Sequence, residues 1–206
     1  MNTSISRTKT IRFGSRYHAS ISVATQLNEA FIVEDGSSLE PECLRKAAAP
    51  RSLRYKRQEQ IIFPYYYDDK NTLMRYEENI FKSRFPIAYE HLNAFKERLI
   101  RRDSDKSAQW YEYGRSQALS HLNQEKLLIS TVITNAVEVY YLAADDIPYS
   151  GIYITVSDGK SSLQDALSIL RSDAFWEYIS NQGLSVSGKS KRITCRDIND
   201  YQFEEF

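Results

Sequence analysis

The fold class is decided by the stretch KLLISTVITNAVEVYYLA, residues 126–143, in which two runs of strand-forming residues flank Asn135. Val, Ile, Thr and Tyr favour extended backbone, and Asn is common in turns. The stretch therefore predicts an antiparallel strand pair over residues 126–134 and 138–143. A further strand is predicted at Ile152–Val156, where the sequence IYITV is again rich in β-branched residues.

The predicted helices lie on both sides of this stretch. Residues 41–49 predict a short helix that Pro50 ends, and residues 85–102 carry the clearest helical spacing of apolar residues. Residues 110–122 predict a helix or a turn followed by a helix. The sequence SSLQ is a capping box that predicts a helix over residues 161–180, buried through Leu163, Leu167, Leu170 and Ala174.

Strands and helices are segregated along the chain rather than strictly alternating. This order predicts an α+β fold with a mixed, mostly antiparallel sheet packed with a few helices. We expect residues 1–11 to form a flexible N-terminal tail and residues 12–206 to form a single domain. The remaining predicted strands cover residues 12–23, 31–33, 60–63 and 184–194.

The composition is that of a globular protein whose net charge does not favour nucleic acid. Of 206 residues, 42% are hydrophobic, and the 27 basic residues equal the 27 acidic ones. A net charge of zero counts against binding through bulk charge but allows basic patches. No apolar run approaches the roughly 20 residues that span a bilayer, and the polar N-terminus is no secretory signal. Cys43 and Cys195 form no motif, which predicts neither a disulfide nor a metal site and favours the cytoplasm.

Two short segments concentrate the positive charge. The segment RSLRYKR begins at residue 51, and the segment KSKRITCR begins at residue 189. Together with 15 tyrosines, these runs favour a nucleic-acid surface, because Arg and Tyr stack on bases and bind phosphates. The residues expected to contact phosphates are Arg51, Arg54, Lys56, Arg57, Lys189, Lys191 and Arg192.

The segment WYEYGR, residues 110–115, is the best candidate for reading bases. Gly114 permits close backbone approach, and Arg115 can form two hydrogen bonds with a guanine edge or clamp a phosphate. Tyr111 belongs to the same candidate surface, whereas Trp110 is expected to be buried. Arg16 and Tyr17, in the first predicted strand, are expected to contribute to the same task.

Three patterns suggest enzymes, and two of them fail in their context. The sequence GLSVSGKS, residues 183–190, fits a phosphate-binding loop, but a helix precedes it and a strand follows it. The sequence FPYY, residues 63–66, lacks the polar residue and second proline of an amino-methyltransferase tetrapeptide. A metal-dependent nuclease using Asp146, Asp158 and Lys160 stays an alternative, although Asp158 and Gly159 are typical of a turn. A protein-interaction or assembly subunit that does not bind DNA is a second alternative.

Several segments together resemble the TaqI-like C-terminal specificity domain, the target-recognition domain of adenine-N6 DNA methyltransferases and type II restriction-modification enzymes. The resemblance covers residues 12–206, and it depends on the order of the segments because each segment is short. The segments are SISVAT (20–25) and FIV (31–33), IIFPY (61–65), PIAYEHL (86–92), the arginines at 101–102, WYEYGR (110–115), the strand that opens with Lys126, DALSIL (165–170) and residues 190–198.

The resemblance implies a non-catalytic module for restriction-modification and DNA methylation. Such a module binds double-stranded DNA beside an adenine-N6 methyltransferase domain or subunit, which flips out the adenine and methylates it. S-adenosylmethionine is then expected only on that partner, and no cofactor on this chain. The family's catalytic domain has no counterpart in the sequence, so we expect no catalytic residues here. The resemblance also adds Lys126 to the expected DNA-binding residues.

Overall fold

The computed structural model describes residues 9–205 and has a mixed α+β fold with mostly antiparallel sheets. The helices are α1 Asn28–Phe31, α2 Pro50–Arg54, α3 Glu78–Arg84, α4 Pro86–Asn93, α5 Lys96–Ile100, α6 Leu119–Leu122, α7 Leu163–Leu170, α8 Asp173–Gln182 and α9 Cys195–Asn199. The strands are β1 Thr10–Arg12, β2 Tyr17–Ile21, β3 Ile32–Glu34, β4 Leu44–Ala48, β5 Glu59–Ile62, β6 Tyr65–Tyr67, β7 Leu73–Arg75, β8 Lys126–Ile129, β9 Val132–Ile133, β10 Val139–Leu142, β11 Ile147–Pro148, β12 Ile152–Val156, β13 Leu184–Ser187, β14 Ser190–Arg192 and β15 Gln202–Glu204.

The side chains form two main cores, which define two lobes. The C-terminal lobe comprises residues 10–21 and 126–204 except β11, and it is built on the antiparallel sheet β10-β8-β12-β2. Helices α7 and α8 bury Ala166, Ile169, Phe175 and Ile179 in its core. The predicted strand pair is confirmed as β8 and β10, and the strand Ile152–Val156 is confirmed as β12. The first strand of the pair is shorter than predicted, because it ends at Ile129 and Val132–Ile133 form β9, which pairs with β14.

The N-terminal lobe comprises residues 23–122 together with β11. Its sheet has the order β11-β4-β5-β3, and helices α1 and α3 to α6 complete the lobe. The core is rich in aromatic residues, with Phe31, Phe63, Tyr65 and Tyr113 packed at ring centroid distances of 5.2 to 6.5 Å. Edge-to-face pairs of this kind add stability beyond the buried area itself.

The two lobes share strands and side chains. Strand β11 leaves the C-terminal lobe and pairs in parallel with β4. Successive side chains of a strand point to opposite faces, so Ile152 and Ile154 of β12 enter the C-terminal core while Tyr153 enters the N-terminal core. Gly151 has φ +100, and a Cβ there would press against the Ile129 carbonyl oxygen, so this position between the lobes requires glycine.

The predicted N-terminal tail of residues 1–11 extends too far along the chain. Residues 1–8 of the predicted tail lie outside the described residues. Thr10 and Ile11 belong instead to β1, which pairs antiparallel with β15, so that part of the prediction is wrong. The reason is long-range pairing with residues 202–204, which the local sequence does not reveal.

The predicted helix over residues 41–49 is also wrong. Pro41–Cys43 form one 3-10 turn, and the following residues form β4, which pairs with β5 and β11. Pro50 does not end a helix but occupies the first turn of α2, where its missing N–H costs nothing. The alanines of this segment favour a helix by propensity, but pairing with two neighbouring strands overrides it.

The long predicted helices are each divided. Residues 85–102 form α4 and α5 with a break at Ala94 and Phe95, and residues 161–180 form α7 and α8 with a break at Arg171 and Ser172. Ser162 and Ser172 cap the second pair, each accepting a backbone N–H bond through Oγ. Residues 110–122 form a loop that ends in α6. The new helix start shifts the buried face, so Ala174 is exposed while Phe175 is buried.

Candidate nucleic-acid interface

The first basic segment is presented by the end of α2. Lys56 has φ +53, and the N–H groups of Lys56 and Arg57 donate to the carbonyls of Leu53 (3.1 Å) and Ser52 (2.9 Å). This pattern is a Schellman motif with a lysine at the left-handed position that glycine normally fills. The turn ends the helix and leaves Arg51, Lys56 and Arg57 exposed.

Most cations of this segment lack an acidic partner. Among the described residues, Arg51, Lys56 and Arg57 form no ion pair. Arg54 differs, because its Nε lies 2.8 Å from Glu138 Oε2, and that carboxylate also accepts the Tyr140 hydroxyl at 2.6 Å. These contacts lower the pKa of Glu138, first through the Tyr140 hydrogen bond and then through Arg54.

A groove of about 720 Å³ runs along this segment between the two lobes. Leu53, Arg54 and Lys56 form one wall, and residues 135–140 form the wall that belongs to the C-terminal lobe. The junction of α7 and α8, with Trp176, forms the end of the groove. The basic segment therefore borders a concave surface large enough for an extended ligand.

The second basic segment lies on a hairpin. The phosphate-loop expression of residues 183–190 folds as β13, a turn at Gly188 with φ +52, and the start of β14. Helix α8 precedes the segment and strand β14 follows it, which confirms that it lacks the strand-then-helix context of a phosphate-binding loop. Lys189 and Arg192 are exposed, and Lys191 is half-buried and donates to Ser185 Oγ at 3.0 Å. Within residues 9–205 none of these three cations has an acidic partner.

Arg115 is held by its backbone and projects its side chain into solvent. It forms two backbone hydrogen bonds with Ala24, of 2.9 and 3.1 Å, and its side chain is 57% exposed. Asp103, which is almost fully exposed, lies 3.6 Å from its guanidinium, a distance that leaves the arginine available to a ligand. Gly114 is buried, and any Cβ there would overlap the Gln26 side chain.

A cleft of about 400 Å³ surrounds Arg115 at the edge of the C-terminal lobe's sheet. It carries imidazole, amide, hydroxyl and guanidinium groups that come from residues 18–22 and from residues 115–121. Because these two segments are far apart in the sequence, no local pattern predicts that they meet. The polar residues of the cleft are His18, Ser20, Ser22, Arg115, Gln117 and His121.

The loop that carries Arg115 is fixed by Arg102, a residue whose role the sequence did not indicate. Its guanidinium donates to the carbonyls of Leu99, Thr25, Trp110 and Glu112 at 2.5 to 2.9 Å. Burial lowers the pKa of Arg102, which nevertheless stays charged at neutral pH. Glu112 in the same loop is buried, accepts the Gln109 N–H at 3.0 Å, and has a pKa raised by burial.

Besides Gly114, three residues expected at the interface are buried. Tyr111 donates to the Tyr76 carbonyl at 2.8 Å, and Tyr17 packs on Phe13 with ring centroids 4.6 Å apart. Lys126 is fully buried, with Nζ 2.7 to 2.9 Å from the carbonyls of four residues. These side chains stabilise the fold and present no atom to a ligand. The acceptors of Lys126 are Leu122, Gln124, Ala143 and Ala144.

Arg16 is also committed within the protein. It is half-buried, pairs with Glu205 and lies over the Phe203 ring at 5.8 Å. Its side chain therefore connects the first strands to the C-terminal segment. The structure places Arg115 in the cleft but buries Gly114 against Gln26. It places Arg16 and Tyr17 in the packing of the C-terminal lobe.

The acids of the nuclease alternative are each engaged within their own turn. Asp146 is buried, accepts the Ala143 N–H at 3.0 Å and lies 3.7 Å from Lys46 Nζ. Asp158 accepts the N–H groups of Lys160 and Ser161, and these backbone bonds lower its pKa to about 2. In the part of the chain that the structure describes, no group of three His, Cys, Asp or Glu residues is placed to hold a metal ion. No helix within residues 9–205 is long and apolar enough to cross a bilayer.

The fold is similar to part of a known restriction-modification enzyme. No family model matches the sequence, and no curated protein matches it. A solved structure of the Type IIL restriction-modification enzyme MmeI in complex with DNA matches with a TM-score of 0.65 and 10% sequence identity. The match covers 97% of this chain and 26% of that chain, so this chain spans about a quarter of the enzyme's length. At this identity the likeness shows a shared fold, and the resemblance to the TaqI-like domain stays a prediction.

Proposed function

We propose that this chain recognises a specific sequence in double-stranded DNA, as the specificity module of an adenine-N6 DNA methyltransferase or restriction-modification system. The observation that carries the proposal is the fold, which nearly the whole chain shares with a quarter of MmeI, an enzyme solved in complex with DNA. Fold alone does not assign function, and the surface residues provide the second line of support.

The distribution of charge supports binding to a phosphate backbone. Although the net charge is zero, six exposed or half-buried cations in two short segments lack acidic partners within residues 9–205. Clustered cations without acidic partners are available to an anionic ligand, and a duplex supplies closely spaced phosphates. The six residues are Arg51, Lys56, Arg57, Lys189, Lys191 and Arg192.

The cleft around Arg115 supports base recognition. A guanidinium reads the O6 and N7 atoms of guanine through two parallel bonds, and an amide such as that of Gln117 reads adenine in the same way. Arg102 and Gly114 fix the loop, so little conformational entropy is lost when Arg115 binds. In this account phosphate contacts position the protein and the cleft contributes to the choice of sequence.

Catalysis belongs to a separate partner in this proposal. The adenine-N6 methyltransferase domain or subunit would hold S-adenosylmethionine and flip the target adenine, and this chain would direct it to the site. A chain that reads sequence without chemistry gives a clear prediction: it binds DNA alone but modifies DNA only with its partner.

The test has two stages. Selection from a random-sequence duplex pool should yield a consensus sequence, and adenine methylation at that sequence should appear in cells only when this chain is expressed with its methyltransferase partner. Methylation of the same sites without this chain would contradict the proposed role. Tight association with a methyltransferase without any selected duplex would instead favour a protein-interaction subunit.

A further inference from the structure

The outer strand of the β13–β14 hairpin is exposed on both faces. All four residues of β13 are exposed, although the strand belongs to the sheet β13-β14-β9. Leu184 is 71% exposed and Val186 is 49% exposed. A strand with two exposed faces and large apolar side chains is costly for a protein to leave in water, which points to a ligand.

The strand register identifies the face that points outward. Leu184 lies opposite Arg192, and Arg192 lies opposite Val132, so these three residues share one face of the sheet. The neighbouring pair, Lys191 and Ile133, lies on the other face, where Ile133 enters the C-terminal core. Leu184 and Arg192 therefore point away from the core, and Val186 is at an irregularity in the register nearer the turn.

The side chains of this face are those that a duplex groove binds. Arg192 on this face and Lys189 at the turn offer positive charge to phosphates, while Leu184 offers an apolar surface. In DNA the apolar group that a protein can reach is the 5-methyl group of thymine, which lies in the major groove. The major groove admits a two-stranded β-ribbon, whereas the minor groove, about 6 Å wide, is too narrow.

We propose that the β13–β14 hairpin enters the major groove and that Leu184 packs against a thymine methyl group. Lys189 and Arg192 then contact the backbone phosphates beside that base. This inference rests on the proposed function, and it adds a specificity-determining contact made by an apolar residue. Val186 lies beside the same contact and extends the apolar surface toward the turn.

The experiment replaces thymine by deoxyuridine, which keeps base pairing and removes only the methyl group. Each thymine of the duplex selected by this chain is replaced in turn, and affinity is measured by fluorescence anisotropy. The wild-type protein should bind about fourfold more weakly at the contacted position, as expected for one buried methyl group. Leu184→Ser should bind the thymine and uracil duplexes equally.

The matched control is Ile100→Ser, which removes a similarly exposed apolar side chain from α5. It should keep the full discrimination between thymine and uracil. The inference is wrong if the wild type binds every uracil duplex as tightly as the thymine duplex. It is also wrong if Leu184→Ser still prefers thymine to uracil. Neither result contradicts DNA binding itself. A change of oligomeric state in Leu184→Ser with unchanged DNA binding overturns it in favour of a contact between copies. Failure of the wild type to bind any duplex overturns the proposed function as well.

Discussion

Cations of the same types occupy two opposite environments in this protein. Arg102 and Lys126 are enclosed by backbone, and each donates to four carbonyl groups. The cations of residues 51–57 and 189–192 are mostly exposed, and only Arg54 among them forms an ion pair within the described residues. The first set connects segments of the chain, whereas the second set is available to a ligand.

This difference shows that a basic residue cannot be assigned to a DNA surface by its type. Burial lowers the pKa of Lys126 to about 8, so the side chain stays a charged ammonium group at neutral pH and donates to its surrounding carbonyls. We therefore expect the two sets of cations to affect different properties of the protein. Changes in the buried set should alter stability, and changes in the exposed set should alter DNA affinity.

The largest effect is expected for Arg102→Ala. Four carbonyl groups each lose the guanidinium as a donor, so the free energy of unfolding should fall by about 4 kcal/mol. Urea denaturation measures this change. The control is Arg101→Ala, since Arg101 is exposed and lies 3.8 Å from Glu97 on the helix surface. That change should cost under about 0.5 kcal/mol, and an equal loss in both variants would contradict the assigned role of Arg102.

Lys126→Met should be the next most severe change. Methionine keeps the apolar stem but provides no donor, so the free energy of unfolding should fall by about 3 kcal/mol. Lys160→Met, at an exposed turn, is the control and should be neutral. If Lys126→Met weakened DNA binding while stability stayed unchanged, Lys126 would contact DNA. Its assignment to the buried, stabilising cations would then be wrong.

The exposed set should show the opposite behaviour. Replacing Arg51, Lys56 and Arg57 together by Gln should reduce the slope of log binding constant against log salt concentration by roughly 0.9 per cation. The affinity should fall by about a hundredfold at about 100 mM salt. The stability should change little. A variant with Lys70, Lys82 and Lys106 replaced by Gln removes the same charge from other exposed positions. Equal losses of affinity in the two variants would mean that bulk charge, not the segment, binds DNA.

Arg115→Ala should affect sequence choice more than stability. Loss of a base-reading arginine should weaken binding about tenfold and relax the preference at one position of the site. A repeated selection with the variant measures both effects. Arg98→Ala, which removes another surface arginine paired with Glu29, is the control. An unchanged affinity and consensus in Arg115→Ala would show that the cleft does not read bases.

The smallest effect is expected for Lys56→Gly. Glycine adopts the left-handed conformation of residue 56 without steric cost, so the variant should be about 1 kcal/mol more stable than the wild type. It should also bind DNA several-fold more weakly, because one phosphate contact is lost. A gain of stability without a loss of affinity would show that Lys56 does not contact DNA.

Local sequence patterns predicted the strands that are rich in β-branched and aromatic residues. β12 has the predicted bounds, and β8 and β10 form the predicted pair around Asn135. The prolines at positions 41 and 50 predict a helix over residues 41–49, but Leu44–Ala48 form β4, which lies between β5 and β11. Both partners are brought there by long-range folding, so no window of sequence around residue 44 contains that information.

The candidate site was predicted in part for the same reason. Runs of cations are visible in the sequence, and the structure leaves most of them exposed. The burial of Lys126 depends on carbonyls at residues 143 and 144, and that of Tyr111 depends on a carbonyl at residue 76. The cleft around Arg115 joins β2 to a loop about 100 residues later, a proximity that no motif encodes.

One affinity ratio measures whether this chain alone recognises a specific sequence in duplex DNA. The measurement compares the selected duplex with a shuffled duplex of equal composition at about 150 mM salt. We expect the selected duplex to bind at least about a thousandfold more tightly, in the range of specific DNA-binding proteins. Equal affinity for the two duplexes, or no binding to either one, would contradict sequence-specific recognition by this chain.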